Sequence, residues 1–298
     1  MKIDQSVLKH YASIYWELSK PKILVMQLVT VSIGFFLANK SLMPFSAYCF
    51  LLIGTAFVSA GAGALNHYIE REPDAKMERT KNRPLPTGAI QPSSALIFGL
   101  ITAVIGVGIL VLKVNLLTAF LAELTLGLYI LIYTPMKRLS WLNTLIGAVP
   151  GALPPLGGWA AATGSLELPA FILFFILFCW QMPHFYAIAI MYCEDYRLAG
   201  FQMLPVIDPE LKRTNVQIMT YSILMLYFSV LLWMMGYAGI IYLIGAAIIG
   251  AGFVVMAFIT VRRKTLDSAR LLLRTSVIYL PLLLLLLILD VLLKGLFG

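Results

Sequence analysis

Nine apolar stretches, each close to the roughly 20 residues that cross a hydrocarbon core, constrain this chain more than any other feature. They lie at approximately 22–39, 46–68, 91–112, 116–134, 141–163, 168–190, 216–236, 238–261 and 273–294. Lipid offers no partner to a backbone N–H or C=O, so a lone span of this length predicts an α-helix. The seventh and eighth stretches are parted only by Met235-Gly236-Tyr237. Together they are far too long for one crossing, and Gly236 supplies a break. Residues are 60% hydrophobic and only 12% charged, too few polar groups to cover a soluble globule. The expectation is an all-α, polytopic membrane protein, one domain over residues 1–298, with nine transmembrane helices.

Loop charges orient that bundle. With nine crossings, 19 of the 22 Lys and Arg residues fall on one side, leaving Lys40, Lys113 and Lys294 on the other. The positive-inside rule then puts the N-terminus and the motif-bearing loops on the cytoplasmic side of the inner (plasma) membrane. An eight-helix count would break this alternation. The formal net charge of +8 is spread through short loops, so no nucleic-acid partner is expected. The N-terminal segment carries charge throughout and lacks a short apolar core, unlike a cleaved signal peptide. Cys49, Cys179 and Cys193 match no disulfide or zinc spacing. Helices two and six each run into a long acidic inner loop, which suggests two four-helix units with a ninth helix added.

The first of those loops is NHYIEREPDAKMERTKNRPLPTG, residues 66–88. Asn66, Glu70 and Asp74 recur at i, i+4 and i+8; each step advances about 40°, so all three share one helix face. Pro73 is expected to end or kink the helix near Glu72, leaving Asp74 at its mouth. Two carboxylates and an amide oxygen form a hard-oxygen set of the kind that holds Mg²⁺ with substrate phosphates. Arg79, Lys81 and Arg83 come next, and arginine meets phosphate oxygens bidentately. The combination suits a diphosphate. An ordinary water-exposed loop is the plainer alternative, and it leaves the helical register unexplained.

Further along, Lys137 and Arg138 either set topology or face the same ligand. The run GAVPGALPPLGGWAAATG loosens the fifth helix, either to line a cavity or to let helices pack closely. Trp180, Gln181 and His184 interrupt the apolar sixth helix, which Pro183 bends. Polar groups in a span are costly and mark either functional contacts or interhelical hydrogen bonds. Glu194, Asp195 and Arg197 open the second acidic loop, with Asp195 mirroring Asp74. Glu123 and Asp290, inside the fourth and ninth helices, are candidates for buried polar contacts, with Lys294 available to Asp290 at i+4. His67 points to a different helix face from Asn66.

On the strings NHYIEREPDAKMERTKNRPLPTG, YTPMKR, GALPPLGGWAA and WQMPHFYAIAIMYCEDYRLAGFQMLPV, the chain resembles the UbiA superfamily of intramembrane prenyltransferases. The helix-six strings point within it to a haem-modifying branch. The resemblance implies a helical bundle around a central cavity open to lipid. It implies Mg²⁺-dependent transfer of farnesyl from farnesyl diphosphate to a vinyl group of haem b, giving haem O and diphosphate. Asn66, Glu70, Asp74 and Asp195 then match the metal–diphosphate motifs, and Arg79, Arg83, Lys137 and Arg138 the basic residues near the diphosphate. Glu70 departs from the family pattern, which has Asp there. Trp180, Gln181 and His184 are candidate haem or substrate contacts. A haem A synthase or terminal oxidase is a candidate partner.

Such chemistry needs no nucleophilic side chain. Charge on the leaving diphosphate is neutralised, an allylic cation forms in a dry cavity, and the vinyl group attacks it. Tyr68, Trp180 and Tyr186 are aromatic candidates to stabilise that cation. Two rivals remain: a transferase acting on an aromatic quinone precursor, and a transporter of an anionic lipid or haem.

Overall fold

The computed structural model describes residues 5–297. Lys2 and the side chain of Lys294 lie outside it, and with them part of the charge count and the Asp290–Lys294 pairing. Among the described residues, nine helices are long and apolar enough to cross a membrane. A short helix, α1 (Gln5–Leu18), leads into the first span, α2 (Pro21–Asn39). Next come α3 (Phe45–Lys76) and α4 (Pro92–Lys113). The fourth span is composite: α5 (Leu116–Gly127), a π-helical stretch (Leu128–Tyr133) and α6 (Thr134–Met136). The fifth is broken at Leu153 into α7 (Asn143–Ala152) and α8 (Pro154–Thr163), as its Gly/Pro content suggests. The sixth, α9 (Leu168–Met191), runs into short helices α10 (Cys193–Leu198) and α11 (Leu204–Ile207). The last three spans are α12 (Lys212–Met234), α13 (Ile240–Arg263) and α14 (Leu266–Phe297).

Several helices extend further, on the face that carries the acidic loops, than their apolar runs. α14 begins at Leu266, so Arg270 and Arg274 lie on a helix rather than in a loop. α3 passes through Pro73 and ends at Lys76, which corrects the expected stop near Glu72. Proline removes only its own donor, and here that loss falls in the last turns. Beyond it, Thr80 Oγ1 and Met77 N both donate to the Asp74 carbonyl, at 2.9 and 3.3 Å, so the turn is held from outside.

Packing draws the spans into a bundle with α9 as a shared wall. α2 packs on α3 and α8, and α3 on α4, while α9 touches α7, α12 and α14. Small residues permit the closest approaches. A Cβ on Gly61 of α3 would stand 2.7 Å from the Gly99 carbonyl of α4, and one on Gly106 would stand 2.6 Å from Val58 N. Apolar side chains gain nothing by leaving lipid for each other, so such backbone contact is what joins membrane helices.

A cavity of about 250 Å³ lies between α2, α3, α5, α7, α8 and α9. Lys20, Tyr129 and Tyr133 border it near the helix ends that carry the acidic loops, and Leu51, Leu110 and Gly157 toward the opposite ends. Two expectations from polar residues within spans resolve differently. Asp290 is buried and accepts from the backbone N–H groups of Gly239 and Tyr242, at the start of α13. Glu123 is exposed on α5, because α4, α7 and α8 cover the helix's other sides. It makes no buried contact there, contrary to expectation.

Candidate active site

Three carboxylates and four cationic side chains converge at the end of that cavity nearest the two acidic loops. α3 contributes the shared face expected from the i, i+4, i+8 register: Asn66, Glu70 and Asp74 are 0%, 5% and 0% exposed. Each carboxylate has a cationic side chain or an N–H against it. Lys137 Nζ donates to Glu70 Oε1 at 2.6 Å, and Arg83 Nη1 to Asp74 Oδ2 at 2.7 Å. The second acidic loop closes on the first, with Arg79 N donating to Asp195 Oδ2 at 3.2 Å and Arg79 Nη2 to Tyr196 OH at 3.3 Å. The Arg79 guanidinium also lies 4.9 Å from the Tyr192 ring centre. Further stitches bind the loops, since Gln202 N donates to the Lys137 carbonyl at 2.6 Å and Asn143 Nδ2 to the Gln202 carbonyl at 3.0 Å.

Nothing in the sequence singles out Lys20 as a site residue, yet it joins the mouth to the apolar cavity. It links α1 to α2 in a left-handed conformation, φ 49°, which an L-residue adopts at some cost. Its ammonium bonds Asn66 Oδ1 and lies 3.4 Å from Tyr129 OH. Burial, reinforced by nearby Arg83 and Lys137, lowers its pKa to about 7. Lys137 moves the other way: burial alone would lower its pKa, but the carboxylate of Glu70 outweighs that and raises it. Asn66 is clamped from the opposite side, its Nδ2 donating to Thr134 Oγ1 at 3.0 Å. Thr134 comes directly after the π-helical stretch, whose Tyr129 carbonyl accepts from both Thr134 N and Thr134 Oγ1. Such single π turns inside α-helices often mark functional sites.

One valence is left over. Asp74 Oδ1 is buried with no hydrogen-bond partner among the described residues. Among those residues no three His, Cys, Asp or Glu side chains stand close enough together to hold a metal ion by themselves. The donors at the mouth are nevertheless carboxylate and amide oxygens, the ligands a hard cation such as Mg²⁺ takes. An orphaned carboxylate oxygen in that setting fits such an ion.

The sequence pattern of the UbiA prenyltransferase family matches residues 27–287. The chain belongs to this family. It is 43% identical to a protoheme IX farnesyltransferase of Solibacter usitatus (strain Ellin6076), over 93% of this chain and 98% of that protein. A solved digeranylgeranylglyceryl phosphate synthase has the same fold, with a TM-score of 0.78 at 20% identity, over 94% of this chain and 98% of that one. So does a UbiA homologue of Archaeoglobus fulgidus bound to DMAPP and Mg²⁺, with a TM-score of 0.69 at 17% identity, over 93% and 99%.

Within this UbiA bundle the expected site residues separate into two groups. Asn66, Glu70, Asp74, Asp195, Arg79, Arg83 and Lys137 meet at the mouth. Arg138 is exposed beside it, because Lys137 takes the inward-facing position. Lys81 pairs at 2.7 Å with exposed Glu78. The α9 residues also divide. Gln181 borders the cavity together with Phe185. Trp180 and His184, about 100° round the helix, turn to α14: Trp180 Nε1 donates to the Ser276 carbonyl at 2.8 Å, and His184 Nδ1 lies 2.7 Å from Ser276 Oγ. Of the aromatic candidates, Tyr186 is buried off the cavity and Tyr68 stacks on Arg71. The rings that border the cavity are Tyr129, Tyr133 and Phe185. The sequence holds a signal for two of them, since Tyr129, Tyr133 and Lys137 repeat the i, i+4, i+8 spacing of the first motif.

Proposed function

We propose that this chain transfers a farnesyl group from farnesyl diphosphate to a vinyl group of haem b, giving haem O and diphosphate. The observation that carries this reading is the continuity between an apolar cavity and a mouth of buried acids and bases. Lys20 belongs to both, bordering the cavity and bonding Asn66. That arrangement suits a molecule that is hydrocarbon at one end and polyanionic at the other. The similarity to protoheme IX farnesyltransferases favours haem as acceptor over a quinone precursor.

Asp74 and Asp195, with Asn66 and Glu70, would hold Mg²⁺, which when bound supplies positive charge to the leaving diphosphate. Arg79, Arg83, Lys137 and Lys20 bind phosphoryl oxygens and share that task. As the C1–O bond of farnesyl diphosphate breaks, both electrons leave with oxygen. Tyr129, Tyr133 and Phe185 present ring faces to the allylic cation and help exclude water. The vinyl π electrons form the new C–C bond. Water then adds to the resulting cation and loses a proton, which gives the hydroxyl of haem O. His184 is assigned to the haem side, held in one orientation by Ser276. The Lys/Arg bias supports a mouth on the cytoplasmic face of the plasma membrane, and a haem A synthase or terminal oxidase would take the product onward.

The test is haem extraction and mass analysis from a host lacking its own haem O synthase, after expressing wild type or Asp74→Ala. Farnesylated haem from wild type and none from a stably inserted mutant supports both substrate and site. Haem b left unchanged by folded wild type, with farnesyl diphosphate present, sinks the haem assignment. Magnesium is tested by chelation, which should stop transfer until Mg²⁺ is restored.

A further inference from the structure

Glycines 157 and 158 are neighbours on α8, yet they face different surroundings. A side chain at Gly158 would strike the backbone of Val31 and Phe35 on α2, and one at Gly34 of α2 would strike Pro155. Those two glycines let α2 and α8 touch. Gly157 has no such neighbour: nothing lies within 4 Å of where its Cβ would stand. Its backbone is not left-handed either, so no turn requires it. Glycine is the poorest helix former after proline, and no local packing explains it here.

The empty side of Gly157 belongs to the cavity wall. Gly63, Gly147 and Gly151 also border the cavity, but each is blocked, by the Leu18 carbonyl, the Tyr133 ring and the Gln181 amide respectively. Gly157 sits at the closed end. The Gly157 carbonyl accepts from Thr118 Oγ1 at 3.4 Å, and Val31, Leu51, Leu110 and Thr118 around it are 0–3% exposed. The diphosphate mouth lies at the opposite end. Between the two ends, the α3 wall runs from Gly63 to Leu51, about 18 Å at the helical rise. That length accommodates an extended fifteen-carbon prenyl chain.

We propose that Gly157 sets the chain-length limit of the prenyl donor, its missing side chain leaving room for the last isoprene unit. The proposal rests on the prenyl-diphosphate reading above and adds a specificity residue to it. A Cβ at 157 enters open cavity, so a side chain there starts into the cavity without displacing a helix.

The test measures binding, without haem, of non-hydrolysable prenyl thiolodiphosphates of ten and fifteen carbons to purified wild type, Gly157→Ala and Gly157→Leu. Wild type should prefer the longer chain. Gly157→Leu should lose affinity for it by about tenfold or more, the scale of one branched unit losing its buried seat. Its affinity for the ten-carbon chain should stay within about twofold, which also reports an intact fold, and Gly157→Ala should fall between. An unchanged preference in both variants overturns the proposal, as does equal loss of both chains. Should the leucine variant not insert, the shift in Gly157→Ala decides alone. Wild type that binds neither chain overturns this proposal and the prenyl reading together. A shifted preference in a protein that leaves haem b untouched upholds Gly157 and removes only the acceptor.

Discussion

Asp74 at the mouth and Asp290 near the opposite end of the bundle are both aspartates on long membrane helices, 0% and 2% exposed. Burial does not tell them apart; their remaining hydrogen-bonding capacity does. Both oxygens of Asp290 are used, one on Gly239 N and the other on Tyr242 N at 3.1 Å. Those donors open α13 and have no partner within it, so Asp290 caps that helix from across the bundle. Asp74 gives one oxygen to Arg83 and leaves the other unpartnered among the described residues. A closed set of bonds belongs to structure, and an open one to a ligand.

Five substitutions sharpen or break this contrast. Asp74→Asn keeps the shape and removes the charge; transfer should fall by about a thousandfold in a haem O assay, with little change in thermal midpoint. An Asp74→Asn protein that stays active would erase the distinction. Lys137→Met should cost about a hundredfold in the same assay, by leaving Glu70 without its cation and the diphosphate without a donor. Restoring neutrality with Glu70→Gln should recover stability but not rate, which a double-mutant cycle reads directly. Asp290→Asn should lower stability by about 1–3 kcal/mol, seen as an earlier unfolding transition in detergent, while activity per folded molecule is unchanged. Smallest of all, Arg138→Ala should alter transfer by less than about twofold, because the side chain faces outward.

Apolar run lengths announce the spans, since lipid leaves a long single crossing little choice but helix. The register of Asn66, Glu70 and Asp74 is equally legible, because four-residue steps stay on one face whatever the partner helices do. Sequence is silent on where side chains meet across helices. Lys20 reads as one more inner-face charge, and only the left-handed link before α2 turns it into the mouth. Trp180 and Gln181 are adjacent in the chain but face α14 and the cavity, a division set by neighbours rather than by residue type. Glu123 reads as a buried partner from its place within a span, but which flank of α5 lies bare is a property of the whole bundle.

The π-helical stretch before Lys137 carries a consequence for how this segment evolves. A π turn is an α-helix that has absorbed one extra residue, and each residue rotates the remainder of the helix by about 100°. The bulge takes up that rotation, so deleting one residue between Leu128 and Tyr133 would restore a regular helix and leave Lys137 facing Glu70. The two rings at Tyr129 and Tyr133, rather than length, are therefore what the site asks of this segment. Relatives that keep the acid–base mouth should keep both rings, yet tolerate a one-residue gap between them.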